Sequence, residues 1–143
     1  MRQRGLDPSF LCLIMNIMKV VFLGQAGGTS LPNGPSSGLI TFSSDRIDNK
    51  YVSKNGAIFT LQPGVYISIV QVRWQDNLNC NLELYMSNSI CDDGWKNQNY
   101  RLSSSSICLH YYGSETTTTP STYIDNGTGG SIGKGQLIII KLI

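Results

Sequence analysis

The sequence predicts an all-β domain of the sandwich or barrel type, and three observations carry that prediction. No long stretch beyond the N-terminal segment places apolar residues at i, i+3, i+4 and i+7 between helix caps. Short β-branched and aromatic runs alternate instead with clusters of Gly, Pro, Asn, Asp and Ser, at the close spacing of strands and turns. The last run, Leu137-Ile138-Ile139-Ile140 with Leu142 and Ile143, is apolar on both faces. At 143 residues the chain is one domain's worth and can bury a core without metals or disulfides.

Taken in order, the elements begin with an apolar segment, residues 10–23, that follows Arg2 and Arg4. Its basic start and its Gly24-Gln25-Ala26 ending resemble a secretory leader. Asp7 in the basic part and Asn16 and Lys19 in the apolar part argue against cleavage. The run is also short of the ~20 residues that span a bilayer. The expectation is an extended arm over residues 1–24 that includes a first strand at 19–23, ahead of a body over 25–143. Phe10, Leu13, Ile14, Ile17 and Phe22 are its anchoring side chains, packed on a neighbouring protein or touching a membrane.

Strands are then expected at residues 38–42 and 57–61, with Pro63-Gly64 turning the chain into a strand at 65–74. Leu82, Leu84 and Met86 alternate with Asn81, Glu83 and Tyr85, the period of a half-buried strand. Residues 107–112, 122–124 and 136–142 complete the set. Glu115 to Pro120, ETTTTP, reads as an exposed loop tip, and residues 126–135, NGTGGSIGKG, as a glycine loop. A strand of a two-layer sandwich needs only one apolar face. Leu137, Ile139 and Ile140 are therefore expected to meet another copy of the chain.

Charge restricts the partners. Charged residues are 14% of the chain against about 25% in ordinary globular proteins, and the formal charge is +2. Arg2, Arg4 and Lys19 against Asp7 account for that excess, so acids and bases balance from Phe22 onward. A neutral, charge-poor body makes no nucleic-acid binder, because that affinity rests on many phosphate contacts.

Residues for catalysis are sparse. His110, the only histidine, sits in the strand ICLHYY and reads as a surface or hydrogen-bonded structural residue. Cys12, Cys80, Cys91 and Cys108 form no C-x-x-C pair; a Cys80–Cys91 disulfide is one option and packed thiols the other. Asp45, Asp48, Asp92 and Asp93 read as turn residues rather than calcium ligands. Gly133-Lys134 lacks the Ser or Thr and the helix of a phosphate loop. Neither a cofactor nor a metal site is expected. Trp95 and Tyr100, in a loop, and Thr117 and Thr118, at the ETTTTP tip, are the candidate contact residues.

Residues 56–66, GAIFTLQPGVY, resemble the G-x-F-T-x-P-x-x-G-x-Y pattern of the complement globular-head and tumour-necrosis-factor superfamily, one residue shorter before the glycine. The glycine-rich stretch leading to the apolar ending GKGQLIIIKLI is similar as well. The resemblance implies a jelly-roll β-sandwich that forms a tight homotrimer. Jelly rolls of this kind are also similar to building blocks of viral shells and spikes. The functional expectation is a non-enzymatic virion structural protein, a minor capsid or spike component held to neighbouring capsid or surface proteins by its arm. The alternative is a secreted or surface-displayed head that binds a receptor or glycan.

Overall fold

The computed structural model describes residues 18–74, 79–87, 95–98 and 103–143. Its strands are β1 (Lys19–Ala26), β2 (Thr29–Ser30), β3 (Ser36–Leu39), β4 (Arg46–Ile47), β5 (Val52–Asn55), β6 (Ile58–Leu61), β7 (Gly64–Trp74), β8 (Asn79–Ser87), β9 (Trp95–Gln98), β10 (Ser103–Tyr112), β11 (Thr116–Thr128) and β12 (Ser131–Lys141). Two six-stranded antiparallel sheets face each other. The first runs β10-β7-β12-β1-β4, with β2 added beside β12; the second runs β5-β6-β11-β8-β9, with β3 added beside β11.

β1 lies inside the first sheet, bonded to β12 on one side and β4 on the other, and it continues to Ala26. The strand thus belongs to the sandwich, and the boundary expected between residues 24 and 25 falls inside it. A bulge between Val20 and Phe22 places Val21 out of register, so both Val21 and Phe22 are fully buried. Phe22 meets Phe59 of β6 across the two sheets. Val52, Leu61, Tyr66, Val70, Val72, Ile132, Leu137 and Ile139 fill out the same core.

Two stretches expected as loops are strand. The ETTTTP segment opens β11, pairing Thr116, Thr117 and Thr118 with Leu61, Thr60 and Phe59 of β6. A run of β-branched threonines suits a pleated surface better than a free loop. Much of the glycine stretch is also strand, because Gly135 lets Phe42, Ala26 and Val72 close in to within 3.4 Å of where a Cβ would stand. Its irregular step is a bulge between Ile132 and Lys134.

The GAIFTLQPGVY segment turns the corner between the sheets. Gly56 adopts φ of +60° in the turn between β5 and β6. Phe59 enters the core, and the hydroxyl of Tyr66 donates to the carbonyl of Gln62 at 2.8 Å, pinning the crossover from β6 to β7. Burial and the nearby Tyr51 push the Tyr66 phenol up to about 12. The corner stays neutral and bonded through the physiological range.

Candidate functional site

The first sheet presents its inner face to the core and its outer face to solvent, and the register of four strands decides which residues lie outside. Ile69 of β7 pairs with Ile107 of β10 and Ile138 of β12, and Ile138 pairs with Leu23 of β1. One step along, Ile67 pairs with Leu109 and Ile140, and Ile140 pairs with Val20. Tyr111 opposite Val65 extends the pattern. Side chains on one pleat face sit in such cross-strand rows. Two complete apolar rows therefore cross the sheet from β1 to β10.

Exposure is greatest on β10, where Ile107, Leu109 and Tyr111 are 68%, 59% and 61% exposed. Val20, Leu23, Val65, Ile67, Ile69, Ile138 and Ile140 are half-buried. A polar row closes the face: Gln25, Gln136 and Gln71 pair in sequence across β1, β12 and β7. They line a shallow groove together with Arg73 and Lys134. Isolated exposed apolar residues need no explanation, but a contiguous patch rimmed by polar residues marks an interaction surface.

This geometry redistributes the expected site residues. Leu137 and Ile139 are fully buried in the core, so they face the second sheet and cannot meet a neighbouring copy. Ile140 lies on the outer face, half-buried, beside Ile138, which the sequence reading passed over. The two-sided character of β12 thus has two separate causes: one face fills the sandwich and the other joins the surface patch. Phe22 is likewise core and not an arm anchor. Phe10, Leu13, Ile14, Ile17 and Tyr100 lie outside the described residues.

Trp95 starts β9, paired with Leu84 of β8, and is not in a loop. Thr117 is exposed on β11, whereas Thr118 is buried and cannot contact a partner. Missed altogether were Ile67, Ile69, Ile107 and Leu109. The signal was present, since VYISIVQV and ICLHYY are apolar on both pleat faces just as LIIIKLI is.

Behind the patch, the inner faces of β7 and β10 carry polar groups. His110 is fully buried, stacked on Tyr112 with centroids 5.6 Å apart, and neither ring nitrogen has a hydrogen-bond partner among the described residues. The expectation of a surface or hydrogen-bonded histidine is overturned. Ser68, across from Cys108 in the register, buries its hydroxyl in the same way. Desolvation pushes His110 down to about 4, so it is neutral at pH 7. Asp45 and Asp48 do turn work: Asp45 accepts from the Ser43 hydroxyl at 2.7 Å, and Asp48 accepts from the Lys50 amide at 3.1 Å.

The topology and the corner motif define a jelly roll of the tumour-necrosis-factor and complement-head type. Solved structures share it. The PRD1 vertex protein P5 superposes with a TM-score of 0.66 at 11% identity, over 87% of this chain and 99% of its own. The globular domain of zebrafish complement 1qA gives 0.53 at 16% identity, over 87% of this chain and 98% of its own. Murine APRIL gives 0.52 at 13% identity, over 87% of this chain and 100% of its own. No protein-family model matches the chain. No curated protein sequence matches it either. At identities this low the superpositions establish the fold alone, and a fold can host more than one function.

Proposed function

We propose that the chain is a non-enzymatic structural protein of a virus particle, a minor capsid or spike component that assembles as a homotrimer and is attached through its N-terminal segment. The observation that carries the reading is the contiguous apolar outer face of β1, β12, β7 and β10. A face with eight paired aliphatic residues in two rows is a surface to be covered, and the described residues include no helix that covers it. A second copy is the simplest cover, and a trimer is what the family resemblance implies. The likeness to a vertex protein supports placement in a virion.

The likeness to complement 1qA and APRIL supports the alternative, a secreted or surface-displayed recognition head. Light scattering on the full chain, with Ile107→Asp/Leu109→Asp alongside, tests the assembly. A trimer that falls to a folded monomer in the double variant supports it, and a monomeric parent defeats it. Mass spectrometry of purified particles then separates the two placements. Retention of the peptide spanning residues 10–23 supports the virion reading, and a chain beginning near Gly27 supports the secreted one.

A further inference from the structure

The end of the sandwich where β1 begins carries an uneven charge. Tyr51, in the turn leading into β5, has the ammonium nitrogens of Lys19, Lys50 and Lys141 at 5.4, 5.2 and 4.9 Å from its ring centroid. Each is within the ~6 Å over which a ring attracts a cation. The backbone register brings two of them together, since Lys19 of β1 lies opposite Lys141 of β12. Lys50 reaches the ring from the turn.

Among the described side chains one carboxylate, that of Asp48, is paired with this cluster. Asp48 accepts from the Lys19 ammonium and from the Lys50 amide, and Arg46 stands close enough to oppose the Lys19 charge. Among the described residues no carboxylate pairs with Lys50 or Lys141. Ammoniums gathered on one ring lie within roughly a Debye length of each other (~10 Å at 0.1 M salt), so they repel unless an anion joins them.

The cluster stands beside exposed apolar residues. Met18, just before Lys19, is 49% exposed, and Ile143, just beyond Lys141, is 71% exposed. Ile143 is held in place by its main-chain oxygen, which accepts from the Val65 amide at 3.1 Å. Upstream of Met18 the sequence carries the apolar run at residues 10–17 and, further on, Arg2 and Arg4. Binding of a segment at a membrane interface scales with the apolar area it buries plus the attraction of nearby basic residues to anionic lipids.

We propose that Lys19, Lys50 and Lys141 around Tyr51 form a site for the phosphate of an anionic lipid headgroup, which seats the root of the N-terminal segment on a membrane surface. The site goes beyond the assembly reading and does not depend on it. Lys50 and Lys141 would contact the phosphate directly, while Lys19, already held by Asp48, closes the third side. Tyr51 keeps the three stems converged.

The test is sedimentation of the full chain with sucrose-loaded vesicles, either phosphatidylcholine alone or phosphatidylcholine containing phosphatidylglycerol. The parent is expected to favour the anionic vesicles, with binding that weakens as salt rises. Lys50→Gln/Lys141→Gln is expected to lower that binding at least tenfold, from roughly fivefold per lysine at a membrane surface. Its unfolding midpoint should stay close to that of the parent, because Lys50 is exposed, Lys141 is half-buried, and neither forms an ion pair among the described residues. Equal binding of the parent to both vesicles overturns the proposal, as does undiminished anionic binding by the double variant. Saturable binding of inorganic phosphate without any preference for anionic vesicles assigns the cluster to free anions and also overturns it. Light scattering on the same samples keeps the outcomes apart, since a monomer that binds anionic vesicles defeats only the trimer.

Discussion

The ring of Phe22 meets the ring of Phe59 edge-on, with centroids 4.7 Å apart and planes inclined at 83°. The two residues belong to different sheets, so this contact ties the sandwich together at its centre. Edge-to-face packing of this kind adds to ordinary burial. Replacing Phe22 by Ala removes a fully buried ring and is expected to cost about 3–5 kcal/mol. Urea unfolding would show the loss at every protein concentration, as befits a core residue.

Leu137 and Ile140 stand on opposite faces of β12 and should respond differently. Leu137→Ala is expected to destabilise each subunit by about 2–5 kcal/mol. Ile140→Asp should leave the fold intact and shift the light-scattering mass toward monomer. A variant pair behaving the other way round would mean the two faces are reversed.

His110 predicts an acid limb in the stability curve. Its pKa is about 4 in the folded chain against 6.5 as the ordinary value, so between those limits the unfolded chain binds more protons. Above pH 6.5 neither state is protonated there and His110 exerts no pull. As pH falls from 6.5 to 4 stability should decline, by roughly 1–3 kcal/mol, and level off below. His110→Phe should flatten that part of a pH series of unfolding midpoints.

Gly24 predicts a steric failure without any change of charge. A Cβ there would run into the Ser43 carbonyl oxygen and stand 2.7 Å from the Phe22 ring. Backbone on one side and a packed ring on the other leave no room to yield. Gly24→Ala is expected to cost about 1–3 kcal/mol, read by differential scanning calorimetry.

Much of the fold was legible because the chain punctuates its strands with turn residues. The GAIFTLQPGVY segment was the most informative, since Phe59 and Tyr66 enter the core there and Tyr66 bonds back to Gln62. The site was less legible. The ETTTTP and glycine segments have the composition of loops, yet pairing with β6 and close packing at Gly135 make them strand. Local composition does not register a partner strand that arrives from far along the chain.

An all-β architecture, a neutral body and a last strand that is apolar on both sides are readable from the residues alone. A period of two separates the faces of a strand but does not say which one is inside when both are apolar. Long-range strand pairing settles it. A bulge at Val21 sets Phe22 inward and Val20 outward, and the pairing of β12 with β1 and β7 then sends Leu137 and Ile139 to the core. The same register leaves Ile138 and Ile140 in a common surface and draws Lys19 and Lys141 to one tyrosine. Lys19 and Lys141 are more than a hundred positions apart in sequence, and hydrogen bonding between β1 and β12 is what makes them neighbours.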